Sequence, residues 1–410
     1  MAWLPESFRL HTEACRDSSR LKVLLHYPVL NPGGAERSTL RLLAALADRG
    51  CEVHLVLTVS GGRLEREIDA RVIVHHLRDG VGQFPARIAG PRDAMRFLAA
   101  GAAWVKGRLE QAWRTRRFAG IEFDAAIAGL HGLSPAFICR AVKAHKRIVM
   151  VRNDAADDRQ GKLARNIARF ESCIDAYVCV SQSVLDSLVS LYPQTRRKAV
   201  CIYNLIDPEA MRTAAMNAGN PFAMEPEGMR ILSVCRLQES QKGLRRMVEV
   251  HSRLLHAGIH HYWHVLGDGP DRGLLEAEIR SRGVSSTFKL HGSVSDPMPY
   301  YRYADICAVL SRYEGLCGVV NEARVLARPV IATRFAGIEE QVESGVNGLI
   351  VEQDENAICE GLASLIRDDG LRERLARGGY PRELLDDDAK VDALMKLMGG
   401  AASGMGKEGR

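Results

Sequence analysis

Short apolar runs alternate with stretches whose apolar residues recur at helical spacing, and that alternation restricts the fold more than any other feature of the chain. Residues 22–27 (KVLLHY) form an apolar run ended by Pro28; Gly33-Gly34 follows, then a helical pattern from Leu40 to Leu46 closed by Gly50. This reads as strand, glycine loop, helix. Further strands are expected near residues 53–59, 72–75, 125–128, 148–151, 176–180 and 200–202, with helical stretches between most of them. Repeated βα units imply parallel strands, because a parallel pair must be joined by a crossover that packs on the sheet.

The periodicity fades after Asp207-Pro208, in a stretch rich in Ala, Asn, Gly, Pro and Met, so a linker is expected over 211–229. A second series follows: strands near 230–234, 262–266, 288–291, 306–310, 329–333 and 349–351, and helices near 244–256 and 319–326. The 410 residues therefore divide into two similar α/β halves, 1–210 and 230–385, in line with roughly 100–200 residues per domain. A helical segment at 386–398 is expected to cross back to the first half, and 399–410 (GAASGMGKEGR after Gly399) reads as a disordered tail. Open parallel sheets bind ligands at the carboxyl ends of their strands, so two such halves imply a cleft between their loops.

Composition removes several classes. With 46% hydrophobic and 26% charged residues the chain can bury a core, which excludes general disorder. No apolar run approaches the roughly 20 residues of a membrane span. The first 21 residues mix acids and bases around no apolar stretch of secretory type, so a cytoplasmic location is expected. Ten cysteines carry no CxxC pair and thirteen histidines no HExxH, so buried thiols and no metal site are expected. Gly33-Gly34 lacks the GxGxxG spacing of a nicotinamide-binding loop.

Charge is unevenly placed. The chain carries 56 basic and 50 acidic residues, a net of +6, and residues 85–118 alone hold eight Arg and Lys against Asp93 and Glu110. Phe97, Trp104, Leu109 and Trp113 are interleaved with those cations. A basic amphipathic segment of this kind suits an anionic membrane surface, while no recognised module points to nucleic acid.

The most informative stretch lies after the strand near 306–310. Glu314 and Glu322 flank a turn with Gly315 and Gly318, and a helix is expected from about Val319. The backbone N–H groups of Gly315, Leu316, Cys317, Gly318 and Val319 are then available to an anion. Two carboxylates beside an anion suit hydroxyl groups at either end of it, as on a sugar. Arg236 and Lys242 carry charge able to neutralise a leaving diphosphate.

This E-x7-E, followed by Pro329-Val330-Ile331-Ala332-Thr333 and Gly345-Val346-Asn347-Gly348-Leu349, resembles the signature of retaining family-four glycosyltransferases of the GT-B fold. Gly33-Gly34-Ala35-Glu36, Asn204 with Asp207, Arg236, Lys242-Gly243, Gly267-Asp268-Gly269-Pro270 and Leu290-His291-Gly292 precede it in the family's order. The resemblance implies two Rossmann-like domains and transfer of a sugar from a nucleotide-sugar, a UDP-sugar, to a glycan or lipid-linked acceptor in cell-surface polysaccharide assembly.

It also implies roles. Arg236 and Lys242 would clamp the donor diphosphate, Glu314 would bind hydroxyls of the transferred sugar, and Glu322 the ribose. Gly33 and Gly34 resemble the loop that approaches the phosphates, Val294 the segment that meets the base, and His131 the active-site histidine near the sugar. No metal or other cofactor would be required. Asn321, where an aliphatic residue is usual, Ala327-Arg328 before the proline, and Cys317-Gly318 depart from the pattern and bear on the sugar pocket. Arg152, Asn153 and Asp154 end a strand with no assigned role beyond capping or acceptor contact. Glu314→Ala and Lys242→Ala are expected to lower turnover with little change in thermal stability. A scaffold that has lost turnover and a nicotinamide-dependent oxidoreductase are the competing classes.

Overall fold

The expected alternation is present as two all-parallel sheets in the computed structural model, which describes residues 20–31, 33–79, 91–158, 160–217 and 219–399. The first contains β1 (Lys22–Tyr27), β2 (Glu52–Val59), β3 (Ile73–Arg78), β4 (Glu122–Ala128), β5 (Lys143–Val151), β6 (Ala176–Cys179) and β7 (Ala199–Cys201), ordered 3-2-1-4-5-6-7. The second contains β8 (Arg230–Val234), β9 (Tyr262–Leu266), β10 (Phe288–Gly292), β11 (Ile306–Val309), β12 (Val330–Thr333) and β13 (Leu349–Val351), ordered 10-9-8-11-12-13. Both are doubly wound.

Burial explains which runs read clearly. Helices cover both faces of a parallel sheet, so inner strands are apolar throughout: β11 (ICAV) and β12 (VIAT) are buried at every residue. The edge strand β3 buries only Leu77. In the second sheet one face packs Ile231, Trp263, Val265 and Phe288, and the other Leu232, Leu266, Cys307 and Val309.

The chain divides into two units whose boundaries differ from the expected ones. The second unit starts at Tyr203, apart from Ser181–Val184, and the chain rejoins the first unit at Asp388. Part of the expected linker 211–229 is a helix, Pro208–Asn217, with Met211 and Ala215 buried in the core of the second unit. The start signal was present: Asp207 accepts from the Ala210 N–H and Pro208 takes the first helical position. Small residues on the buried face hid the periodicity.

The Asp387–Leu397 helix packs within the first unit from Asp388 onward. Arg49 bonds Asp388 and Asp392, and the Cys51 thiol donates to Met395 Sδ at 3.6 Å. Residues 400–410 of the expected tail lie outside the described residues. No helix among the described residues is long and apolar enough to cross a membrane.

Candidate active site

In a doubly wound sheet the strand order reverses once, and the loops leaving the two strands at that point diverge to leave room for a ligand. The reversal falls between β1 and β4 in the first unit and between β8 and β11 in the second. Gly33 and Gly34 follow β1, His131 follows β4, Arg236 and Lys242 follow β8, and Glu314 follows β11. The topology thus brings Arg236, Lys242 and the 314–322 stretch together within the second unit.

Lys242 and Glu314 form the centre of this group. Their ammonium and carboxylate are paired, with side chains 15% and 11% exposed. Ser311 Oγ donates to Glu314 Oε1 at 2.7 Å, and Gln241 Nε2 lies 3.4 Å from the other oxygen. Burial opposes the charge on Lys242, but the adjacent carboxylate outweighs it and raises the lysine above its ordinary range. Removing either partner would leave the other charge without its counter-ion, so single alanine variants are expected to lose stability as well as turnover.

Arg236 is exposed, and its guanidinium makes no ion pair among the described residues. Glycines hold its backbone in place. A Cβ at Gly267 would sit 1.9 Å from the Cys235 carbonyl oxygen, and one at Gly269 would sit 2.4 Å from that of Leu237. The Gly267-Asp268-Gly269 turn is therefore a bed for residues 235–237.

The loop after Glu314 leads into the Gly318–Val325 helix. Contrary to the expectation from sequence, its N–H groups are not all available: Cys317 N–H donates to Gln341 Oε1 at 2.9 Å. The Gly318 N–H, in the first turn, makes no backbone hydrogen bond among the described residues, whereas the Val319 N–H is turned to the Cys317 side chain. Gln341, fully buried, returns a bond from Nε2 to the Cys317 carbonyl at 2.9 Å and another to Asn321 Oδ1, which also accepts from Tyr380 OH. Asn321, unusual by its type, thus completes a buried polar network. Burial pushes the Cys317 thiol up to about 12, which suits a packing role. The nine described cysteines are all free.

Glu322 sits one turn inside the helix, half-buried, and one oxygen accepts from Tyr301 OH at 2.8 Å. Val294 is half-buried against the core beyond β10. Gly33 caps the Gly34–Asp48 helix, with the Glu36 side chain folded back over it. His131 Nδ1 accepts from Arg152 N–H at 3.3 Å, and burial lowers its basicity.

Arg152, without a role in the sequence, is buried and bonds Gly129 O at 2.9 Å and Thr39 Oγ1 at 3.1 Å, tying β5 to the first helix. Asp154 caps a short turn by accepting from Ala156 N–H. Asp154 is thus a cap, and Arg152 a tie between elements. The sequence also missed Ser311, Gln241, Tyr301 and Gln341, whose roles depend on contacts formed only after folding. One further set was not anticipated: Glu225, His264 and His291 place one potential metal-ligand atom each within 4.8 Å of one another.

Two parallel, doubly wound α/β units define the GT-B fold. A crystal structure of Anabaena Alr3699/HepE in complex with UDP and glucose superposes with a TM-score of 0.66 at 17% identity, covering 93% of this chain and 98% of that one. The family model for glycosyltransferase family 4 matches residues 32–210, and that for glycosyl transferases group 1 matches 228–368. The chain belongs to the family 4, group 1 glycosyltransferases.

Among curated relatives, the lipopolysaccharide core biosynthesis glycosyltransferase LpsE of Rhizobium meliloti is 29% identical over 171 residues. That match covers 41% of this chain and 49% of LpsE, so it spans about half of that relative's length. Alpha-D-kanosaminyltransferase of Streptomyces kanamyceticus is 24% identical over 372 residues, 83% of this chain and 92% of that protein.

Proposed function

We propose that the chain transfers a sugar, with retention at the anomeric carbon, from a UDP-sugar to a hydroxyl of a glycan or lipid-linked acceptor in cell-surface polysaccharide assembly. The observation that carries this reading is the juxtaposition of the buried Lys242–Glu314 pair, the exposed Arg236 and the N-terminus of the Gly318–Val325 helix at one strand reversal. Cations and N–H dipoles suit a diphosphate, and carboxylates beside them suit hydroxyls. The UDP bound by HepE and the lipopolysaccharide role of LpsE support the donor and the setting.

In this mechanism the bond from the anomeric carbon to the diphosphate oxygen breaks, and the acceptor oxygen bonds on the same face. The departing phosphate takes the acceptor hydroxyl proton. Arg236 and Lys242 stabilise the charge that develops on the diphosphate, so no metal is needed at this step. Glu314 positions the sugar hydroxyls, while Glu322, held by Tyr301, takes the ribose. Gly33, Gly34 and His131 serve the phosphate and sugar ends from the first unit, and Val294 meets the base.

The enzyme works at the cytoplasmic membrane surface. In the Pro91–Thr115 helix Val105, Leu109 and Trp113 recur every four residues and are 51%, 67% and 67% exposed. Lys106, Arg108, Arg116 and Arg117 are exposed near that stripe, suiting anionic headgroups. Residues 85–90 of the basic segment lie outside the described residues.

Thermal-shift titration with UDP, GDP, ADP and NADH, with and without EDTA, tests the donor. Ligands that bind only the folded state raise its melting temperature. Stabilisation by UDP that survives EDTA is expected; a response to NADH alone, or to no nucleotide, would sink the reading. Retention is checked by NMR assignment of the product anomer.

A further inference from the structure

Away from the strand reversal, at the carboxyl end of edge strand β10, three side chains far apart in sequence converge. His264 comes from β9 and His291 from the end of β10, where a β-bulge between Leu290 and Gly292 leaves His291 without a ladder partner. Glu225 comes from the segment that leads into β8.

His264 is fully buried and stands between the other two: its Nδ1 lies 3.0 Å from His291 Nε2, and its Nε2 lies 3.3 Å from Glu225 Oε2. His264 Nε2 and Glu225 Oε2 are both buried, and neither makes a hydrogen bond. A neutral imidazole has one N–H. Whichever nitrogen of His264 carries it, Nε2 and Glu225 Oε2 stand 3.3 Å apart, buried and without a hydrogen bond. A cation bound between them would satisfy both atoms. Metal–ligand bonds of about 2.0–2.1 Å give a tetrahedral donor–donor edge of about 3.3 Å, matching the 3.3 Å between these atoms.

We propose that Glu225, His264 and His291 form a divalent transition-metal site of the zinc class. His264 Nε2 and Glu225 Oε2 are the preset ligand pair, and His291 closes the set by exchanging its bond to His264 for one to the metal. Imidazole and carboxylate donors favour zinc over calcium or magnesium. Around them Phe222 lies 4.4 Å from the His264 ring centroid and Tyr300 lies 5.2 Å from that of His291, giving the apolar surround that strengthens ligand bonds. Arg230 and Lys289 are the nearby cations. Glu225 supplies the negative charge that offsets them. The site would staple the segment before β8 to the β9–β10 edge, and it is independent of the donor reading.

The test uses the purified full chain, stripped with EDTA and desalted, titrated with zinc chloride against a chromogenic chelator, and separately with cobalt chloride. One zinc equivalent per chain is expected, with affinity about tenfold or more weaker in Glu225→Gln and in His291→Asn. Both side chains are partly exposed, so both variants should match the parent in metal-free circular dichroism and melting temperature. Zinc should raise the melting temperature of the parent alone. Bound cobalt should give visible d–d bands without the near-ultraviolet charge transfer of thiolate ligands. Failure to bind zinc, binding indifferent to both substitutions, or a thiolate band from one of the free cysteines would overturn the proposal.

Discussion

At the scale of single residues, Lys242 and Glu314 are stabilising partners before they are catalytic candidates. The raised lysine pKa fixes the sign of the linkage: its contribution is complete below the ordinary lysine range and is lost only as pH rises through the folded value, so the pair persists at neutral pH. Lys242→Met should destabilise by about 3 kcal/mol, because it leaves Glu314 buried and unpaired. Turnover should fall about 100-fold through loss of charge at the diphosphate. The double variant Lys242→Met/Glu314→Leu should recover most of the stability and none of the turnover. Urea unfolding alongside a UDP-release assay separates the two effects. A double variant less stable than either single one would mean that the pair is not the main source of the loss.

At the scale of elements, the 315–319 loop owes its shape to residues far along the chain. Asn321 Oδ1 accepts from both Gln341 and Tyr380, so Asn321→Leu strands two buried donors and should cost about 1–3 kcal/mol. If the loop holds the diphosphate, the same change raises KM for the donor more than it lowers kcat; unchanged KM would place the network in stability alone. The Pro91–Thr115 helix makes a different prediction. Leu109→Ser/Trp113→Ser should reduce sedimentation with anionic vesicles about fivefold or more while leaving turnover on a soluble acceptor intact; undiminished sedimentation would refute the docking role. These elements differ in how legible they were. Inner strands such as β11 and β12 were plain because burial on both faces demands an unbroken apolar run. The glutamates and Lys242 stood out as charges beside glycines. Gln341, Tyr301 and the Glu225–His264–His291 set were invisible, since their partners lie 20 or more residues away and only sheet pairing and helix packing bring them together.

At the scale of the whole molecule, each unit holds buried or half-buried histidines in neutral form. Burial holds His26 at about 3 and His75 at about 4 in the first unit, and His251 at about 3 in the second. Each has a hydrogen-bond partner suited to a neutral ring: Thr58 for His26, His54 for His75, and His261 and Thr287 for His251. In an unfolded chain the same side chains protonate near 6.5. Their folded values are depressed, so the unfolded state binds more protons below that point, and stability must fall as pH drops from about 6.5 toward the folded values. Well inside that window the slope is about 1.4 kcal/mol per pH unit for each such histidine. Above pH 7 these groups contribute no slope. Two units need not unfold together, so urea melts should be followed by tryptophan fluorescence and circular dichroism and fitted without assuming a single transition. Both units should lose stability between pH 7 and pH 5, before most carboxylates begin to protonate. His251→Gln should reduce the slope of the second unit alone, leaving the part due to its other depressed histidines such as His264, since His26 and His75 belong to the first. A flat profile over that range would mean that these rings are reached by protons without unfolding.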